Sequence, residues 1–261
     1  MIAFWDNLGH RVILTLSTFV DSGAFALKVF GRILRRKTYS SAMREVLVNQ
    51  IYFTSVQILP SFLLVSIVFG SLLIGIVFTL LKDFGLTELI GHVLMGLVVT
   101  ELCPFLTVLL ITLRSSAAIN TEMAVMKVNR EVHTLEAFRI DVIDYLLAPR
   151  VINGIISIVL LSSLFSIVLL VSGILFASLI FGMSIDVYTD IILNSTSFFD
   201  IFIALFKCAV YGFFITLIPI RQGLQASYEL TSIPISVSGG MVKVFAAILI
   251  IEVLSLLTKL L

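Results

Sequence analysis

Charge is scarce in this chain. Asp, Glu, Lys and Arg make up 13% of its 261 residues, against about 25% in an ordinary soluble domain. With 59% hydrophobic residues and a mean hydropathy of +1.16, no soluble fold of this length hides so much apolar surface, so the solvent is a bilayer. Only two cysteines are present, Cys103 and Cys208, each inside an apolar run, which excludes a disulfide framework. The three histidines, His10, His92 and His133, are scattered and read as helix-packing residues; no Cys/His spacing resembles a metal site. No G-x-x-x-x-G-K-[ST] phosphate loop occurs, so the chain has no evident means of hydrolysing ATP. No Ser/His/Asp arrangement or carboxylate pair is placed for catalysis, and the chain is read as neither an enzyme nor a nucleic-acid binder. The N-terminus lacks a compact apolar stretch followed by a small-residue cleavage site, so neither a cleavable signal nor a transit peptide is expected.

What is abundant is long apolar sequence. Val46–Leu81 carries no charge over 36 residues. At about 1.5 Å per residue a straight helix would exceed about 50 Å, against a hydrocarbon core of about 30 Å. It must therefore tilt, protrude or break, and Pro60, Gly70 and Gly75 are the cheapest breaking points. A polar link, Lys82–Thr87, leads to a second span, Glu88–Leu113. Arg114–Arg150 is a long polar interruption, and Val151–Ile185, again charge-free, is the third span. Ser184–Phe199 is a polar link carrying Asp186 and Asp190. The fourth span is Asp200–Ile220. After a loop, Arg221–Val237, turned by Pro234, the fifth takes the rest of the chain.

Ahead of the spans, Leu8, Val12, Leu16, Phe19, Val20, Ala24, Leu27, Phe30 and Leu34 recur at helical spacing, with Arg11, Thr15, Ser22, Lys28, Arg32 and Arg35 between them. This predicts an amphipathic helix in the membrane interface, ending near Arg35-Arg36-Lys37. The fold expected is an all-α membrane protein forming a single domain over residues 1–261: an interfacial helix within residues 1–45, two spans within 46–113, a cytoplasmic region over 114–150 and three spans within 151–261.

Lys and Arg set the orientation. Seven lie in the region through Arg44, five in Arg114–Arg150 and one, Arg221, in the last loop, whereas the opposite side holds only Lys82 and Lys259. The positive-inside rule puts the N-terminus and the long loop in the cytoplasm and the C-terminus outside.

Within the second span, "VVTELCPFL" places an acid, Glu101, in an apolar helix three residues before Pro104. Such a carboxylate costs about 2.5–3.5 kcal/mol on insertion scales and marks function by default. Lys207 and Glu252 are also at membrane depth. Lys207 lies about seven residues from the outer end of its span and Glu252 about nine, so at about 1.5 Å per residue their depths differ by a few ångströms. A Lys207–Glu252 pair, or a triad with Glu101, is geometrically allowed. Two readings stand: paired charges that fix helix registry, or a polar, water-accessible cavity that admits a headgroup while apolar walls hold acyl chains. Pro104 would free a carbonyl and bend the helix there, and Lys243 snorkels.

The segment after Arg114, with Ala118, Met123, Met126, Val128, Val132 and Leu135 among Glu122, Lys127, Arg130, Glu131 and Glu136, predicts a short helix with exposed methionines. It reads either as a docking knob for a cytoplasmic partner or as an ordinary amphipathic loop helix.

The order E-L-x-P, an apolar run, Arg, small residues, T-E-x-x-x-M-[KR], L-E, D and P-R resembles the MlaE/YrbE family of permease subunits of Mla- and Mce-type phospholipid ABC transporters. It is carried here by Glu101, Leu102, Pro104, Arg114, Ala118, Thr121, Glu122, Met126, Lys127, Glu131, Leu135, Glu136, Asp141, Pro149 and Arg150. Three positions depart from the family pattern: Thr100 stands where an Arg is typical, Cys103 replaces a Gly, and Ile140-Asp141-Val142 replaces a glycine-and-proline signature. The first removes a positive charge able to pair with Glu101 or meet a lipid phosphate.

The resemblance implies a permease moving phospholipid between the bacterial inner membrane and a periplasmic MCE-protein carrier, in outer-membrane lipid homeostasis. A second copy of the permease, an ABC ATPase dimer holding ATP and Mg, and an MCE-domain ring would complete the assembly, with no cofactor in this chain. The substrate path would include Thr100, Glu101, Pro104, Lys207 and Glu252. The ATPase would couple through Thr121, Glu122, Met126, Lys127, Arg130, Glu131 and Leu135. Two other classes compete: an ion-coupled secondary transporter with Glu101, Lys207 and Glu252 as a relay, and a non-transporting scaffold for the MCE ring.

Overall fold

A computed structural model describes residues 22–34 and 41–260. Among them no strand is formed, and five helices are long and apolar enough to cross a membrane: Met43–Asp83, Thr87–Val128, Ile143–Leu179, Phe198–Leu224 and Ser232–Lys259. These are the first to fifth spans. The number of spans expected from the charge-free runs is the number found, but their ends differ in ways the sequence explains.

The first span does not break at Gly70 or Gly75. Both stay helical and let the third span approach: a Cβ on Gly70 would stand 3.0 Å from Leu169 Cα, and one on Gly75 would stand 2.6 Å from the Phe176 ring. The irregularity lies earlier, in a π-helical turn at Tyr52–Val56, after which Pro60 occupies the first turn of the regular helix Leu59–Asp83. Pro104 and Pro149 repeat the device. Pro104 opens Cys103–Ile111 after a π-helical stretch at Leu94–Leu102, and Pro149 opens Ala148–Phe181 after one at Ile143–Leu147. A proline ring clashes with the carbonyl four residues back and offers no N–H. Widening the preceding turn to i→i−5 bonding, as from the Cys103 N–H to the Val98 carbonyl, accommodates that loss without ending the helix.

The second span runs on without a break past Arg114 to Val128. Arg114 marks the end of the apolar run rather than the end of the helix. A turn with Arg130 at φ 60° then leads to a short helix, Glu131–Ala137. The expectation of exposed methionines is corrected here. Met123 is fully buried and Met126 half-buried, because this part of the helix lies against the C-terminal end of the fourth span; a Cβ on Gly223 would stand 2.5 Å from Met123 Cβ. The link after the third span is itself helical, Ile185–Asn194, with the Ser184 hydroxyl as its N-cap. Pro234 turns no loop. It sits in the first turn of the fifth span, Ser232–Leu260, where a missing N–H costs nothing.

Residues 22–33 are helical. Leu27 and Leu34 face outward while Val29 is buried in a cluster with Met123, Leu147, Val151 and Ile220. Arg32 ties this helix down through Asp141 at 2.9 Å and Asp144 at 2.7 Å. The rest of the interfacial segment and the Arg35-Arg36-Lys37 cluster lie outside the described residues.

The third and fourth spans form the centre of the bundle, with Phe165, Leu169, Tyr211 and Ile215 buried between their neighbours. Polar side chains lock the crossings, as expected where lipid provides no hydrophobic drive between helices. Ser55 donates to Ser157 at 2.7 Å, Ser157 to Asn153 at 3.0 Å and Asn153 to Thr54 at 2.9 Å, joining the first and third spans. Ser116 donates to the Ile215 carbonyl at 2.7 Å. Asn120 and Ser236 exchange two hydrogen bonds of 3.1 Å between the second and fifth spans. The fifth span is the least buried, with Val242, Leu249, Ile250, Val253 and Leu254 all exposed along it.

Candidate functional site

The π-helical stretch Leu94–Leu102 carries Thr100 and Glu101, both buried, toward the fourth and fifth spans. Such widened turns recur at functional positions because they displace side chains from the regular helical register. Opposite them the fourth span presents Lys207 and, one turn on, Tyr211, the i, i+4 neighbours of one helix face. The fifth span presents Glu252, Ser255 and Lys259 at i, i+3 and i+7, also a single face.

These residues meet in one cluster. Lys207 forms ion pairs with Glu101 and, at 2.6 Å, with Glu252. Lys259 lies 2.8 Å from the second oxygen of Glu101. Ser255 donates to Glu101 at 3.0 Å, and the Tyr211 hydroxyl donates to Glu252. Lys259 also donates to the Gly96 carbonyl at 2.7 Å and to the Thr100 hydroxyl, while Thr100 itself donates to Gly96 at 2.6 Å. Two carboxylates face two ammonium groups, so the cluster is electrically neutral as a whole. Neutrality and full hydrogen bonding are what allow charged groups to remain ionised away from water.

Exposure is graded across the cluster. The Glu101 and Lys207 side chains are 2% and 4% exposed, Glu252 is 13% and Lys259 is 30%. Glu101 therefore does not reach the surface of this chain; Glu252 and Lys259 are the parts of the cluster nearest to it. Among the alternatives left open by the sequence, the structure has the triad of Glu101, Lys207 and Glu252 and enlarges it. Lys259, Ser255 and Tyr211 are additions to the residues that the sequence marks, although the Glu252–Ser255–Lys259 spacing is visible in it. Pro104 is buried two residues beyond the π-helical stretch, within the second span and apart from these ion pairs. Lys243 is exposed and donates to Gln222 at 2.6 Å.

The residues expected to meet an ATPase lie at the other end of the bundle. Thr121, Glu122, Arg130 and Glu131 are exposed, and Met126, Lys127 and Leu135 are half-buried. Glu122 forms an ion pair with Arg150 at the foot of the third span. Lys127 and Arg130 both stand over the Tyr228 ring, at 5.1 and 5.5 Å from its centre, which ties the turn after the second span to the loop before the fifth. Among the described residues no group of His, Cys, Asp and Glu could hold a metal ion.

Comparison with known proteins agrees with this architecture. Residues 47–258 match the family described as Permease MlaE. A probable ABC transporter permease protein of Synechocystis sp. is 32% identical over 159 residues, covering 59% of this chain and 60% of that protein. The chloroplastic protein trigalactosyldiacylglycerol 1 of Arabidopsis thaliana is 30% identical over 162 residues, 60% of this chain and 46% of its own length. These two alignments thus span less than two thirds of each relative. The intermembrane phospholipid transport system permease protein MlaE of Haemophilus influenzae is 26% identical over 224 residues, 85% of this chain and 84% of that one. With a family match that runs from within the first span to within the fifth, the chain belongs to the MlaE permease family.

Proposed function

We propose that the chain is the membrane-spanning subunit of an ATP-driven transporter that moves phospholipid between the bacterial inner membrane and a periplasmic MCE-protein carrier. The observation that best supports this is the neutral charge cluster of Glu101, Lys207, Glu252 and Lys259 at membrane depth in a permease of this family. The name of the Haemophilus relative, an intermembrane phospholipid transport permease, points the same way. A phospholipid headgroup is itself a compact set of opposite charges. A site that already pairs its own charges can exchange partners with such a headgroup without leaving any charge bare, so the exchange avoids the several kcal/mol that an unpaired buried ion costs. Acyl chains would rest on apolar residues of the fifth span such as Val253 and Leu256, which flank the cluster and are exposed.

In this reading two copies of the chain share the site across the exposed face of the fifth span. The N-terminus is cytoplasmic and the C-terminus periplasmic. A separate ATPase dimer, holding ATP and Mg, docks on the inner end of the second span and on Glu131–Ala137. Thr121, Glu122, Lys127, Arg130 and Glu131 supply polar contacts there, and Met126 and Leu135 supply apolar ones.

The test is purification of the chain with its natural partners, followed by lipid transfer between vesicles. An ATPase should co-purify, and transfer should require ATP hydrolysis. Glu101→Ala should assemble normally and transfer about tenfold more slowly, the loss of one charge-assisted contact. Transfer that proceeds without an ATPase and follows the proton gradient would establish the ion-coupled reading instead. Full activity after neutralising Glu101, Lys207 and Glu252 together would leave only a scaffold.

A further inference from the structure

At the end of the bundle opposite the charge cluster, a cavity of about 370 Å³ lies between the helix of residues 22–33 and the turn ahead of the third span. Lys28 lines it from the helix, and Glu136, Arg139, Ile140 and Asp141 line it from the turn. A volume of this size suits a small ligand or a lipid headgroup.

The charges in the cavity are unevenly spent. Asp141 is occupied: it pairs with Arg32 at 2.9 Å and accepts the Ile143 N–H at 3.0 Å. Among the described residues Lys28, Glu136 and Arg139 take part in no ion pair. Arg139 is also held in an unusual backbone. The helix Glu131–Ala137 closes with the Arg139 N–H on the Glu136 carbonyl at 2.9 Å and the Ile140 N–H on the Leu135 carbonyl at 3.0 Å, which puts Arg139 at φ 58°. Glycine would end a helix this way with less strain, so the arginine side chain answers to something other than the turn.

The surroundings name the ligand's other half. Leu27, beside Lys28, and Leu34, on the same helix face, are 73% and 70% exposed. An apolar stripe edged by basic residues is the pattern of a helix lying against a lipid leaflet. Two free cations and one free carboxylate next to such a stripe match a headgroup bearing a phosphate and an ammonium. A purely anionic headgroup would set its charge against Glu136.

We propose that this cavity binds, from the adjoining leaflet, a phospholipid whose headgroup carries a primary ammonium. Lys28 and Arg139 take the phosphate through charge-assisted bonds, Glu136 takes the ammonium, and acyl chains lie along Leu27 and Leu34. Bound so, the lipid fastens the helix to the turn beside the Arg32 bridges. This goes beyond the transport reading and needs none of the charge cluster.

The experiment incubates the full chain in detergent with phosphatidylethanolamine or, separately, phosphatidylcholine, and measures retained lipid by mass. Phosphatidylcholine keeps the phosphate, but its quaternary ammonium offers no N–H. Lipid that all variants retain alike is held elsewhere on the chain and is subtracted. Lys28→Gln with Arg139→Gln should lower retention of both lipids about tenfold, and Lys28→Arg with Arg139→Lys should preserve it. Glu136→Ala should lower phosphatidylethanolamine about tenfold and leave phosphatidylcholine unchanged. All three side chains are exposed, so these variants should fold. Undiminished retention after removing both cations, or a Glu136→Ala loss shared equally by the two lipids, would overturn the assignment. So would displacement of the lipid on adding the ATPase partner, which would give the cavity to that protein instead. Because Glu101, Lys207, Glu252 and Lys259 are unaltered throughout, failure of this site leaves lipid transfer running, a result distinct from failure of the transport reading.

Discussion

Gly154 on the third span and Gly212 on the fourth meet backbone to backbone: a Cβ on Gly212 would stand 2.6 Å from the Gly154 carbonyl oxygen and 2.5 Å from Ile155 Cα. No rotamer change relieves contacts with main-chain atoms, so the two central helices would have to separate. Gly212→Ala should therefore destabilise the bundle by about 1–3 kcal/mol, the range for overpacking a tight core. Gly239→Ala is the control, because its Cβ would meet only Gln222 Nε2, at 3.7 Å, an ordinary contact. Unfolding in mixed detergent, followed by circular dichroism, should show the first shift and no loss from the second.

The charge cluster gives a second expectation. Lys207→Met removes the cation held between two carboxylates and leaves the cluster with a net negative charge, which should cost about 3–5 kcal/mol. Lys207→Met combined with Glu252→Gln returns the cluster to neutrality, with Glu101 still paired to Lys259. The double variant should accordingly be more stable than Lys207→Met alone. A double-mutant cycle on purified protein measures this coupling, and additive losses would mean that the two charges do not depend on each other.

The five spans were legible because uninterrupted apolar length is dictated directly by bilayer thickness. Helix ends were not. Arg114 ends the hydrocarbon-compatible stretch, yet Ala117, Ala118, Met123 and Ala124 favour continued helix, and the helix extends to Val128. The link Ser184–Phe199 reads as polar from Asp186 and Asp190, although the Ser184 cap and the spacing of Ile185, Tyr188 and Ile192 already describe an amphipathic helix. Glu101, Lys207 and Glu252 stood out because charge in an apolar run is rare. Lys259 reads as a flanking charge, since nothing in sequence separates a lysine that snorkels outward from one that folds back. The π-helical turns ahead of Pro60, Pro104 and Pro149 have no periodic signature, and only the prolines hinted at them.

Tyr188, on the helix Ile185–Asn194 between the third and fourth spans, offers a pH-dependent test. Its ring stacks near Phe78, its hydroxyl donates to the Leu170 carbonyl at 3.2 Å, and burial pushes its ionisation up to about 12. A phenol in the unfolded chain ionises near pH 10. Because the folded value is the higher one, the stability Tyr188 contributes is complete below about pH 10 and is lost as the pH rises toward 12. Tyr188→Phe should cost about 1 kcal/mol at neutral pH through the lost hydrogen bond and should flatten stability between those two pH values. Thermal melts of both proteins across the alkaline range would show it, and parallel curves would rule out any contribution from this phenol.

Glu122 and Arg150 join the C-terminal end of the second span to the start of the third. Arg150 is buried, while Glu122 is 59% exposed, so water screens the pair and its loss should change stability by less than about 1 kcal/mol. A larger effect is expected on coupling. If an ATPase docks on this end of the bundle, the pair is a direct ionic link from the docking segment to the span at the bundle's centre. Glu122→Ala should then leave ATP hydrolysis by the reconstituted complex running while lipid moved per ATP falls. Exchanging the two residues, Glu122→Arg with Arg150→Glu, should restore part of that yield by re-forming the bridge in the opposite sense. The measurement is simultaneous ATP turnover and lipid transfer in proteoliposomes. A Glu122→Ala complex that moves as much lipid per ATP as the unmodified one would show that the link carries no coupling.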